Sequence, residues 1–341
     1  MNMKKRVIID CDPGIDDSLA LMYALSEEAL DVIGITVVCG NVPTDIGVEN
    51  ARKVCRLMGR TDIPVYAGAS VPLKRPLVTA RDTHGMDGLG ETGIPEVPES
   101  EWPYDRLINF GQDEQPGAAG HQKMANLPEG AGFILKSLSE GPLSVIAIGP
   151  LTNIAMALDY KPELFEHMER FVSMGGNFKS FGNCSPVAEF NYWVDPEAAR
   201  YVFEHLKCPV EMVGLDVTRR IVLTTEMIRG LEGLDDAKAD FIVKITRFYV
   251  DFHKKQEGID GCVINDPLAV GYFLDKKLCS GIDAYTTVET EGLSVGQSIV
   301  DEKGFWKKEP NSHVLTRVDS QRFMRRFMTA LFGSRGKGVL Q

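Results

Sequence analysis

Apolar and polar positions along the chain switch repeatedly between two periods. Residues 6–10 form a short apolar run that predicts a buried strand. Residues 16–28 follow with Leu19, Ala20, Met22, Tyr23 and Leu25 at helical spacing. Residues 32–38 are β-branched and apolar, a second strand. Residues 44–58 read as a helix, with Thr44 as its N-cap and Gly59 just past its end. A third strand is expected at 65–67. Strand–helix alternation of this kind points to a parallel sheet with flanking helices.

The rhythm breaks between about residues 70 and 129, where Pro, Gly and charge dominate. So long a stretch without clear elements predicts a functional loop region or insertion. Alternation resumes with a strand at 143–148, a helix at 151–158, a strand at 171–174, a helix at 196–205 and a strand at 210–213. Beyond that the chain reads as more helical, with helices at 237–256, 266–274 and 321–332. A late hairpin is expected across 286–300, and a frayed tail from 333. The reading is an α/β fold: an open, mainly parallel sheet with flanking helices and a helical C-terminal part. It forms one domain over 1–335, and 336–341 trail behind.

Composition narrows the function classes. The chain has 341 residues, 25% of them charged, and a formal net charge of -11, so nucleic acid and anionic membrane surfaces are poor partners. Seven cysteines, widely spaced and without a Cys-x-x-Cys pair, suit a reduced, cytoplasmic protein. The apolar run after Lys4, Lys5 and Arg6 ends at Asp10, too soon for a signal peptide. No segment approaches the roughly 18 apolar residues that span a bilayer.

The chemistry concentrates where the first strand ends. Asp10-Cys11-Asp12-Pro13-Gly14-Ile15-Asp16-Asp17 puts four carboxylates within eight residues, at a helix start. Ligands of open α/β sheets bind at the carboxyl ends of strands. One or two acids there would serve as caps. Four repel one another and call for a cation. An EF-hand loop counted from Asp10 fails, because Gly14 and Leu21 stand where it needs oxygen ligands. The Pro-Gly-Ile-Asp-Asp continuation also does not suit an aspartyl-nucleophile phosphatase.

This segment resembles the hallmark of the inosine-uridine-preferring nucleoside hydrolase family. Six further stretches match in order: Val38-Cys39-Gly40-Asn41, Gly149-Pro150-Leu151-Thr152-Asn153, Met174-Gly175-Gly176-Asn177, Val187-Ala188-Glu189-Phe190-Asn191, Asp195-Pro196-Glu197-Ala198-Ala199 and Asp266-Pro267-Leu268-Ala269-Val270. Together they cover most of residues 5 to 320. The resemblance implies a Rossmann-like nucleoside hydrolase fold and calcium-dependent cleavage of ribonucleosides to ribose and free base. It implies calcium ligation by Asp12, Asp17 and Asp266 and by the backbone carbonyl of Ile148. Asp12 would also be the general base on a water held by the metal. Asp16 and Asn191 would grip ribose hydroxyls with Asn41 and Met174 nearby, and Asn183 and Glu189 would hold the 5′-hydroxyl. A carboxylate there would repel a 5′-phosphate, favouring nucleosides over nucleotides. A homodimer or homotetramer is expected by the same analogy.

One position departs from the pattern. Many family members carry His before the late Asp-Pro, thought to protonate the leaving base. Here the residue is Asn265, which cannot be a general acid. His253 and Tyr249, four apart on the long helix and so on one face, are candidate replacements, as is His84 in Thr83-His84-Gly85-Met86-Asp87-Gly88. Trp193 is expected in the core, and Trp102 and Trp306 have no assigned place. Two other readings stay open: a riboside-binding protein with little catalysis, and a hydrolase of a modified or non-nucleoside riboside.

Overall fold

The structure is a computed structural model that describes residues 4–102 and 127–340. The chain starts with strand β1 (Lys5–Cys11), helix α1 (Ile15–Ser26), β2 (Leu30–Val37), α2 (Thr44–Leu57) and β3 (Val65–Ala67). A single turn, α3 (Arg81–His84), punctuates the loop-rich stretch before α4 (Glu129–Ser139). Then come β4 (Leu143–Ala147), α5 (Thr152–Tyr160), β5 (Met168–Met174), α6 (Phe190–Val194), α7 (Pro196–His205) and β6 (Val210–Val213). Short elements follow: α8 (Leu215–Thr218), β7 (Val222–Thr224) and α9 (Thr225–Glu232). The long α10 (Ala237–Glu257), β8 (Gly261–Val263) and α11 (Pro267–Leu274) precede β9 (Cys279–Val288), β10 (Ser298–Asp301), β11 (Ser312–Val318), α12 (Ser320–Phe332) and α13 (Arg335–Gly338).

Nine strands make one sheet in the order β10-β9-β11-β6-β5-β4-β1-β2-β3, and β7 and β8 form a separate antiparallel pair. From β3 to β6 all neighbours are parallel, and β11 joins β6 in parallel. β9 and β10 add an antiparallel edge. The chain winds outward from β1 to β3, then crosses back to β4 on the other side. The crevice between the carboxyl ends of β1 and β4 is therefore the topological switch point, where open α/β sheets bind ligands.

Strand alternation sorts side chains to two cores. Val7, Ile9 and Cys11 face one layer, with α1, α10, α11 and α12, while Ile8 faces the other, with α4, α5 and α7. Every one of these strand residues is fully buried. Burial of this kind contributes about 25 cal/mol per Å² of apolar surface, the main stabilising term.

Several expectations are corrected. Pro43 holds the N-cap position of α2, and Thr44 instead donates its hydroxyl to Ala69 O at 2.8 Å. α4 lies outside the expected elements, because Gly130 and Gly132 obscure its period. The small residue suits a close approach: a Cβ on Gly130 would stand 3.1 Å from Gly68 Cα. The C-terminal part is less purely helical than its pattern suggests. It contributes three strands to the main sheet, and the hairpin's first arm begins at Cys279. The tail also packs: Gly336 is buried, and Val339 sits in the core at 7% exposure. Part of the 70–129 region lies outside the described residues. What is described of it up to Trp102 holds only α3 and one 3₁₀ turn.

Candidate active site

α1 begins where β1 stops, and its first turn organises the carboxylates. Gly14 is the N-cap, and Asp17, three residues on, accepts the Gly14 amide at 3.0 Å. Asp17 also accepts the Asp12 amide at 3.1 Å and Asn41 Nδ2 at 2.9 Å. Asp12 Oδ2 accepts the Asn41 amide at 2.6 Å, whereas the buried Asp12 Oδ1 has no protein partner. Two glycines make room for that carboxylate. A Cβ on Gly40 would lie 2.0 Å from Asp12 Oδ2, and one on Gly149 would lie 2.7 Å from Oδ1.

Asp266 enters from the start of α11, on the far side of the chain. Asp16, Asp17 and Asp266 each place a carboxylate oxygen within 4.8 Å of the others, and all are buried. That trio contains Asp16, while Asp12 stands beside Asp17, to which its amide donates, with Oδ1 spare. Burial, reinforced by neighbouring carboxylates, raises Asp12 and Asp266 well above the usual carboxylate range and Asp17 to about 7. Asp10, behind them, accepts Thr36 Oγ1 at 2.5 Å and Asn153 Nδ2 at 2.8 Å, and burial raises it to about 7.

Two of these carboxylates, Asp16 and Asp266, reach the surface of a cavity of about 580 Å³, within the range of small-molecule sites, and form its floor. Asp16, Asn41, Ile148, Met174, Asn183, Glu189, Asn191, Asn265 and Asp266 line it; Asp12 and Asp17 are not in the lining and meet it through Asn41, which both engage. The Ile148 carbonyl accepts Asn191 Nδ2 at 2.9 Å. That nitrogen also donates to Met174 O, so Oδ1 is what Asn191 has left to offer a ligand. Glu189 caps α6: its carboxylate accepts the amides of Gly176, Asn191 and Tyr192, and burial raises it to about 7. Asn183 Oδ1 accepts the Phe190 amide at 2.9 Å.

α10 supplies one wall. Tyr249 and His253 share a face of it, and His84 from α3 packs against them, with ring centroids 5.2 Å (His84–Tyr249) and 4.4 Å (Tyr249–His253) apart. Tyr249 lies near enough to Asp16 for the carboxylate's charge to act on its buried phenol. Asp16 Oδ2 accepts both the amide and Nδ2 of Asn265 at 3.2 Å. The two imidazoles are set in opposite senses. His84 Nδ1 accepts the Ile15 amide, so its neutral ring carries the proton on Nε2. His253 Nδ1 donates to Tyr249 O, leaving Nε2 bare in the neutral ring. Burial lowers both pKa values.

Some lining residues gave no signal in the sequence. Trp193 lines the cavity, correcting the expectation that it packs in the core. Trp102 is in the core with Arg52 over its ring, and Trp306 sits at the surface against Tyr285. Phe181 and Arg219 line the cavity from segments without distinctive periodicity, and Phe252 lines it from α10. α8 anchors the rim through residues one turn apart. Asp216 accepts the amides of Phe178, Lys179 and Ser180, and Arg219 donates to Gly182 O at 2.9 Å.

The comparisons agree with this geometry. Residues 7–325 match the family model described as inosine-uridine preferring nucleoside hydrolase. The chain is 32% identical to a pyrimidine-specific ribonucleoside hydrolase RihA from Enterobacter sp. (strain 638), over 93% of this chain and 95% of that one. It is 34% identical to the RihA of Photobacterium profundum, over 94% and 97%. Among solved structures, a plant nucleoside hydrolase, PpNRh1, superposes with a TM-score of 0.85 at 28% identity, covering 96% of this chain and 99% of that one. A purine-preferring ribonucleoside hydrolase from Gardnerella vaginalis does so with 0.83 at 30%, covering 99% and 100%. The chain therefore belongs to the inosine-uridine preferring nucleoside hydrolase family, whose members are hydrolases acting on N-glycosyl compounds.

Proposed function

We propose that the protein hydrolyses the N-glycosidic bond of ribonucleosides, releasing ribose and free base, with Asp12 as general base and calcium as cofactor. The observation that carries this reading is Asp12 Oδ1, a buried carboxylate oxygen without a protein partner among further buried carboxylates. An all-oxygen donor set of that kind fits a hard cation. Asp12, Asp17, Asp266 and the Ile148 carbonyl would hold it. A bound divalent cation supplies Lewis-acid polarisation of the attacking water.

The chain's own groups account for the rest. Asp12 Oδ1 accepts a proton from water as the water oxygen bonds to the anomeric carbon. The C–N bond breaks, and its electron pair leaves with the base. Asp16, oriented by Asn265, and Asn191, through Oδ1, take ribose hydroxyls beside Asn41 and Met174. The surrounding carboxylates favour the positive charge that develops on the sugar. Asn183 and Glu189 take the 5′-hydroxyl, and the acidic lining disfavours a 5′-phosphate. The departing base receives its proton from the His84–Tyr249–His253 wall.

The relatives differ in base, pyrimidine in one set of names and purine in another, so a substrate panel must cover both. Assembly as a homodimer or homotetramer and a cytoplasmic location belong to the same proposal. Among the described residues no helix is long and apolar enough to cross a membrane. The test is ribose release from inosine, adenosine, uridine and cytidine, with and without chelator. Release from at least one, abolished by chelator and restored by calcium, is expected. Release from none would favour a riboside-binding protein or a modified riboside as substrate.

A further inference from the structure

The cavity is strongly acidic, with Asp16, Asp82, Glu189, Glu257 and Asp266 in its walls and floor. Among the described residues, Arg219 is the only lysine or arginine that lines it. Its guanidinium lies 3.7 Å from the Phe181 ring centroid and donates through Nη2 to Gly182 O. Guanidinium has five N–H donors and no acceptor, so that bond leaves donors over. Glu257, the last residue of α10, and Asp216 on α8 are carboxylates whose charge acts on it. Arg219 thus lines the cavity while braced on the rim loop through Phe181 and Gly182. A permanent cation fixed there asks for an oxygen with spare electron density.

We propose that Arg219 is a specificity-determining residue, reading a hydrogen-bond-accepting oxygen of the bound riboside from the rim of the cavity. This rests on the hydrolase reading above. Two oxygens of a nucleoside fit that chemistry: the exocyclic carbonyl of the base and the 5′-oxygen. On a base carbonyl, Arg219 would stabilise negative charge that grows as the C–N electron pair departs. It would then act mainly on kcat. On the 5′-oxygen, whose charge does not change, it would act mainly on KM.

The experiment compares wild type with Arg219→Met and Arg219→Lys on inosine and uridine. The same enzymes are tested on purine riboside, which lacks the C6 carbonyl of inosine, on 4-deoxyuridine, which lacks the C4 carbonyl of uridine but keeps that at C2, and on the 5′-deoxy nucleosides. Arg219→Met should lower kcat/KM on the better parent about ten- to a hundredfold. Arg219→Lys should lose less, because it keeps the charge but not the planar fork. The loss should vanish on one analogue class, which names the oxygen. An equal loss on every substrate would mark a structural role and overturn the inference, as would no loss on the parent. Wild-type protein releasing ribose from no parent removes the hydrolase reading, and this inference with it, before any variant is compared.

Discussion

At the scale of single residues, the account depends on Asp12. Its Oδ2 is held by the Asn41 amide while Oδ1 has no protein partner, an arrangement that would aim the free oxygen of the proposed base. Asp12→Asn keeps the size and removes the basicity. It should lower kcat about a hundred- to ten-thousandfold, with the protein still folded by circular dichroism. Glu189 gives a test in pH. Burial raises its pKa from the usual 4.5 to about 7, so the folded state holds its proton more tightly than the unfolded chain. Its contribution to stability is then fully present below pH 4.5 and is lost as pH rises towards about 7. Melting temperatures across that window should show a shallower decline for Glu189→Gln than for wild type, and parallel curves would contradict this. Asp10, Asp12, Asp16 and Asp17 were legible in the sequence because four charges in eight residues exceed what capping needs. Arg219, Phe181 and Trp193 were not. An arginine after Val217-Thr218 or a phenylalanine before Gly182 looks like any surface or core residue until the fold sets it at the rim.

At the scale of elements, short pieces place the site and long ones frame it. The one-turn α8 grips the 178–182 segment from both ends of a single face. Asp216→Ala would release three backbone amides at once, each bond worth about 1–3 kcal/mol to a charged acceptor. The expected outcome is a KM raised about tenfold or more, with a smaller change in kcat, because the segment leads into Asn183 and Glu189. A fall in kcat alone would show that the rim does not position substrate. Among elements, the runs with strong periods were readable: β3, α7 and β6 lie at their expected bounds, and α10 is within one residue of its expected end. Elements that depend on tertiary contacts were not. α4 is hidden by glycines that let it press on Gly68, and β11 is defined by its pairing with β6 and β9.

At the scale of the whole molecule, the site exists because of the winding of the chain. Asp12 and Asp17 follow β1, Ile148 follows β4, and Asp266 arrives after β8, so no local segment holds the set. The order β3-β2-β1-β4-β5-β6 brings the ends of β1 and β4 together at the switch point, and α11 closes over them. The sequence motifs announced that these segments act together, but that Asp16 brings a carboxylate oxygen within 4.8 Å of those of Asp17 and Asp266 emerges only from their packing. A molecule that buries this many carboxylates should gain stability from any cation that relieves them, by RT ln(1 + [L]/Kd). Calcium at about a hundred times its Kd should therefore add about 2.7 kcal/mol to unfolding stability. A melting temperature unchanged by calcium would oppose that.

The most direct measurement is calorimetric titration of calcium into chelator-treated protein, wild type beside Asp12→Asn and Asp266→Asn. The account predicts one site per chain in the wild type and markedly weaker binding in both variants. Wild-type protein that takes up no calcium, or variants that bind it as well as the parent, would contradict it.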